Sequence, residues 1–164
     1  MIQIFEATEA EIPVIAEIAA KTWPKAYASI LSPEQMRFML DTIYSAKELQ
    51  HAMHNKSQRF LLLKDTGEYQ GFASIGPRKE EPGVFKLHKI YILPHNQGKG
   101  YGKMLIEEVK RQLLVQGINT LDLNVNRNNP AKDFYQKLGF KIIRKEDIPI
   151  GQYWMNDYVM RLTF

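Results

Sequence analysis

The 164-residue chain has no cysteine. Disulfides, thiolate nucleophiles and cysteine-held zinc are therefore excluded. Histidine is scarce, with four in all. His51 and His54 lie three apart on a predicted helix, but no third ligand is evident, and no metal is expected. Long apolar runs are missing: nothing approaches the roughly 18 residues of a membrane span. The opening Met1-Ile2-Gln3-Ile4-Phe5-Glu6 lacks the basic and apolar stretches of a secretory leader. With no cysteine to oxidise, the expected location is cytoplasmic. Repeats, low-complexity tracts and linkers are also lacking, so residues 1–164 are expected to form a single domain with a sizeable core. The charge is not clustered either. Twenty-two Lys and Arg against eighteen Asp and Glu give +4, spread along the chain. No basic stripe argues for nucleic acid, and no membrane partner is expected. A polyanionic small molecule would suit the lysine excess.

What is present is an orderly run of elements. Residues 2–6 alternate as a short strand. Thr8 and Glu11 have the spacing of a capping box, ahead of Ile12, Ile15, Ala19 and Trp23 at helical spacing. Pro13 must then sit in the first turn, or the helix starts later. Ser32-Pro33 and Ser45 open helices over 33–43 and 46–55. Strands follow at 58–64, 69–76 and 84–93, the first two joined by the turn Asp65-Thr66-Gly67-Glu68. A helix runs from 98 to Gly117, a strand over 119–125, and a short helix from Asn129-Pro130 to Gly139. Strands at about 140–146 and 152–162 complete the chain. The pattern predicts an α/β (α+β) mixed sheet with helices on both faces.

The strand at 84–93 leads into Gln97-Gly98-Lys99-Gly100-Tyr101-Gly102, which opens the next helix. Alternate glycines free backbone N–H groups to close on an anion at a positive helix end. The dinucleotide fingerprint would need a glycine at 103, where Lys103 stands. The nucleotide-triphosphate loop would need Gly-Lys followed by Ser or Thr, but Gly98-Lys99 is followed by Gly100. What remains, Gln97-x-x-Gly100-x-Gly102, resembles the pyrophosphate loop of the GNAT superfamily of acyl-CoA-dependent N-acetyltransferases. About 25 residues on, Asn124-x-Asn126-x-x-Asn129-x-Ala131-x-x-Phe134-Tyr135-x-x-Leu138-Gly139-Phe140 is similar to that superfamily's second block. The overall pattern looks most like the polyamine-acetylating PaiA-type branch.

The resemblance implies acetyl-CoA as co-substrate, with the mostly antiparallel sheet splayed between the strands at 84–93 and 119–125. Backbone groups of Tyr91, Ile92 and Leu93 would bind the pantetheine amides. N–H groups of Gln97, Gly98, Lys99, Gly100, Tyr101, Gly102 and Lys103 would cradle the pyrophosphate, with Lys99 and Lys103 adding charge. Asn124 and Asn129 would reach the cofactor or acceptor, although Asn129 is also a natural helix cap. Tyr135 fits either a core stripe or a phenol protonating the departing thiolate. Relatives carry a basic glutamate at positions matching Lys86 or His88. Here His88 is the candidate base, since its ordinary pKa suits proton transfer and it shares strand parity with Ile90 and Ile92. Glu6 is another candidate.

The implied reaction is direct attack of a primary amine, from a small molecule or a peptide N-terminus, on the thioester. The alternative is a non-catalytic acyl-CoA-binding sensor on the same fold. Trp23, Tyr27, Phe38, Tyr44, Tyr153 and Trp154, with Glu34, Asp41 and Asp157, would wall the acceptor side. A homodimer is a further expectation from relatives.

Overall fold

A computed structural model describes all of residues 1–164. β1 spans Ile2–Glu6, α1 Ile12–Tyr27, α2 Pro33–Tyr44, α3 Ala46–His54, β2 Arg59–Asp65, β3 Glu68–Pro77 and β4 Phe85–Ile92. α4 spans Tyr101–Val115, β5 Thr120–Asn126, α5 Ala131–Lys137, β6 Lys141–Ile150 and β7 Tyr153–Thr163. The strands form one sheet in the order β1-β2-β3-β4-β5-β7-β6. Every pair is antiparallel except β4 with β5.

The expected element order holds, and the differences lie at the ends. The Thr8 side chain caps a 3-10 turn at Glu9–Glu11 rather than the helix itself. α1 starts only at Ile12, with Pro13 in its first turn, where a missing N–H costs nothing. The helix expected from 98 begins at Tyr101. Gly98 and Gly100 have φ of 87° and 83°, a left-handed backbone that delays helical winding and that glycine adopts without strain. β6 runs four residues past its expected end and turns at Gly151.

The central strands are buried on both faces, so β2 reads as an unbroken apolar run. Phe60 and Leu62 face α1, α2 and α3 with Trp23, Met39 and Leu49. Leu61 and Leu63 face α4 and α5 with Leu105, Val109 and Phe140. Beyond the gap the sheet changes character. Leu121, Leu123, Val125, Met160 and Leu162 supply the α4/α5 side. The opposite face carries Asp122, Asn124, Asn126 and Asp157, paired in register with Arg161 and Val159. At its tip the β6–β7 hairpin leans on α2. Phe38 and Tyr153 pack with tilted rings, centroids 5.4 Å apart, and a Cβ at Gly151 would stand 2.4 Å from the Phe38 ring.

Candidate active site

The parallel ladder between β4 and β5 covers only Phe85–Leu121, Lys86–Asp122 and Leu87–Leu123. One end is locked. Fully buried Asp122 accepts from Arg78 Nε at 2.8 Å and from Arg161 Nε and Nη2 at 2.7 and 3.0 Å. Past Leu87 the strands part. β4 keeps its bonds to β3 through Ile92, while β5 goes on with β7. The edges facing across the gap are left unpaired, each a template for a strand-like ligand.

A cavity of about 570 Å³ fills this gap, lined among others by Tyr27, Ile90, Tyr91, Ile92, Asn124, Asn129 and Tyr135. It continues to Gln97, Gly98, Gly100, Gly102 and Lys103. No backbone N–H from Gly98 to Lys103 has a backbone or side-chain partner. Those N–H groups, at the start of α4 and with Gly100 as its left-handed cap, form an anion cradle. Gln97 donates its side-chain Nε2 to Ile92 O at 3.1 Å, tying the cradle to the gap wall.

The expected residues divide. Tyr91 and Ile92 end β4 and Leu93 follows it, the Leu93 N–H being spent on Gln70 O at 2.9 Å. Tyr91 adds an unforeseen side-chain role: its hydroxyl meets that of Tyr27 at 3.0 Å. The Tyr101 ring is buried, and its hydroxyl donates to Asp65 at 2.7 Å, which lowers the carboxyl pKa there. Only its backbone belongs to the cradle. Lys99 Nζ donates to Asn96 Oδ1 at 3.0 Å, whereas Lys103 makes no ion pair. Asn129 Oδ1 accepts from Ala131 N at 2.9 Å, a turn just ahead of α5, whose N-cap position is Pro130, and the residue lines the cavity. Asn124 Nδ2 donates to Asp157 Oδ2 at 3.3 Å.

Tyr135 is buried between Phe134 and Phe140 and also lines the cavity, so it is a core residue that reaches the gap. Burial raises the pKa of its phenol, with the Tyr27 charge adding to it. The group therefore holds its proton at neutral pH.

His88 departs from expectation. β3 Ser74 and Ile75 pair with Lys89 and Leu87, leaving His88 as the extra residue of a β-bulge. The bulge breaks the parity with Ile90 and Ile92. His88 touches the cavity, but its Nε2 lies 3.3 Å from where a Cβ of Gly76 in β3 would stand. Its side chain keeps solvent contact at the gap, yet partial desolvation by the surrounding walls, then the charges of Lys86, Lys89 and Arg78, depress its pKa, toward about 3. A lowered pKa makes the imidazole a weaker base at neutral pH. Glu6 is also remote, three strands from β4 and lining a separate cleft with His54 and Arg59.

Of the six aromatic candidates only Tyr27 lines the cavity. Trp23 and Tyr44 are core residues behind it, Phe38 and Tyr153 pack on each other, and Trp154 is exposed. Glu34 and Asp41 are exposed on α2. His51 contacts the Asn55 amide, and His54 pairs with Glu9. Sequence reasoning missed Lys25, which lines the cavity, and Asn96, whose buried amide bonds Gln70. Their only signal is proximity in the fold.

Residues 27–160 match the family model of the acetyltransferase (GNAT) domain. The chain belongs to that family and is an acyltransferase with acetyl-CoA as its acyl donor. It is 30% identical to an uncharacterized N-acetyltransferase of Mycobacterium tuberculosis, over 89% of this chain and 93% of that one. It is 28% identical to the spermidine N(1)-acetyltransferase of Thermoplasma acidophilum, over 86% and 89%. The crystal structure of the PaiA N-acetyltransferase of the same organism, in complex with coenzyme A, superposes with a TM-score of 0.84. It is 25% identical and covers 100% of this chain and 99% of that one. No helix is long and apolar enough to cross a membrane.

Proposed function

We propose that residues 1–164 work as one catalytic domain that acetylates a primary amine by direct attack within a ternary complex, in the cytoplasm. One observation carries this reading: a protonated phenol, Tyr135, shares a cavity with the unpaired edges of β4 and β5 and a cradle of unpartnered N–H groups. The residues fit acetyl-CoA. The cradle from Gly98 to Lys103 takes the pyrophosphate, with Lys103 adding charge. The free edge of β4 at Tyr91 and Ile92 takes the pantetheine amides as a missing strand would. Asn124 and Asn129 lie at the far wall.

Held this way, the thioester carbonyl carbon meets an amine entering from the Tyr27 side. The amine nitrogen forms the C–N bond, the C–S bond breaks, the thiolate takes the proton of Tyr135, and the surplus proton on nitrogen passes back to that phenolate. Positioning and a group of matched acidity supply the acceleration. No covalent enzyme intermediate is needed, consistent with a chain that has no cysteine. The acceptor is a small-molecule amine or a peptide N-terminus. Thiol release from acetyl-CoA in the presence of polyamines, monoamines and short peptides tests the reading. Tight coenzyme A binding with no turnover on any of them would favour a sensor instead.

A further inference from the structure

The polar face beyond the gap holds a group that the acetyl donor does not use. Asn126 lies opposite Asp157 and Asn124 opposite Val159. Directly opposed residues of an antiparallel pair point to one face. Asn124, Asn126 and Asp157 therefore share the face turned away from the α4/α5 core. Asp157 is 5% exposed, and its Oδ2 accepts from Asn124 Nδ2 at 3.3 Å. Its Oδ1 is buried without a partner, and so is Asn124 Oδ1. Two adjacent acceptors without a donor are costly in a sequestered site. Their complement is a cation with several N–H donors, which is what a primary ammonium presents.

The surroundings agree. Asn124 lines the gap cavity together with Tyr27, Tyr91 and Tyr135. Tyr27 feels the Asp157 charge from α1. The faces of Tyr27 and Tyr91 can add cation–π attraction. The other charged groups around Asp157 are Lys86 on β4, Glu146 on β6 and Arg127 after β5. Burial raises the Asp157 pKa and lowers that of Lys86.

Resting on the acetyltransferase reading, we propose that Asp157, paired with Asn124, binds the acceptor as a primary alkylammonium and removes its proton before attack. The ammonium donates to the two orphan oxygens and gives one proton to the Asp157 carboxylate. The freed lone pair forms the C–N bond and the C–S bond breaks with its electrons on sulfur. The thiolate takes the Tyr135 proton, and the nitrogen's second proton returns to that phenol. Asp157 then releases its proton to solvent. Ammonium and thioester give amide, thiol and one proton. An amine bearing a carboxylate beside it, such as a free amino acid, is disfavoured by repulsion from Asp157. Mono- and polyamines are favoured.

The test compares n-butylamine, protonated at pH 7, with hydroxylamine, largely neutral there, by thiol release from wild type, Asp157→Asn and Asp157→Glu. Asp157→Asn is expected to lose about 10²-fold in kcat/KM for butylamine. It should stay within about threefold for hydroxylamine, with KM for acetyl-CoA unchanged, because only the protonated amine needs a base. Asp157→Glu should restore part of the butylamine rate. An equal loss for both nucleophiles, or no loss for butylamine, overturns the proposal and leaves acetyl transfer standing. No turnover of either nucleophile by wild type overturns the acetyltransferase reading itself. If Asp157→Asn no longer binds coenzyme A, wild type alone decides. The hindered tert-butylammonium ion should then inhibit at least about tenfold better than isosteric tert-butanol, and equal inhibition overturns the proposal.

Discussion

β4 and β5 are one pair of strands with two different ends. At Phe85–Leu87 and Leu121–Leu123 they are hydrogen-bonded and backed on one face by core. On the other face Asp122 clamps Arg78 and Arg161. At His88–Ile92 and Asn124–Asn126 they stand apart, with polar side chains and aromatic hydroxyls between them. The closed end makes the open end possible. A gap that would otherwise zip shut, or let the sheet fall in two, is hinged where the ion pairs and the apolar contacts coincide. Stability sits at one end and chemistry at the other.

Breaking the closed end should have the largest effect. Asp122→Ala takes from buried Arg78 its buried carboxylate and from half-buried Arg161 one of its two, and a loss of about 3 kcal/mol is expected in urea unfolding. Coenzyme A binding should fail with it. The open end should break differently. Tyr135→Phe is expected to lower kcat by about 10²-fold or more while leaving the unfolding midpoint nearly unchanged. An unaltered kcat across the pH range would remove the acid role from Tyr135.

Two smaller changes sharpen the contrast. Gly100→Ala places a side chain at φ 83°, a strain of about 1 kcal/mol. Isothermal titration should show coenzyme A binding about tenfold weaker, with amine KM little altered. At the bulge, His88 titrates in the unfolded chain near its ordinary pKa and in the folded chain near about 3. The folded state thus resists protonation. Its stability from this group is complete above the unfolded pKa and is lost as pH falls from there toward about 3. His88→Gln should flatten that acid limb of a stability–pH curve, and an unchanged slope would show that the ring is not held neutral.

Much of this was legible in the chain. Local signals carried the elements, because Ser32, Ser45, Gly117 and the Thr66-Gly67 turn act within a few residues of themselves. The left-handed glycines ahead of α4 and the place of Tyr135 beside the gap were legible because each belongs to a short motif. His88 was misread because a bulge shifts side-chain parity by one residue without marking the local pattern. Asp157 was legible as an acceptor-side acid, but its closeness to Asn124 follows only from cross-strand register with Asn126, 31 positions earlier. Trp23 and Tyr44 were assigned to the acceptor wall because an aromatic in a core and one in a pocket look alike in sequence.

The seat of the β6–β7 tip on α2 has a consequence for how the molecule is made. Phe38 meets Gly151 and Tyr153, more than a hundred residues further along the chain. A chain growing from the ribosome can wind α1 and α2 early, but this flank of the molecule cannot close until nearly the last residues emerge. Contacts this distant are slow to form, and the surfaces awaiting them stay exposed meanwhile. Phe38 thus spends most of synthesis uncovered, and premature release of the chain leaves the protein without that wall.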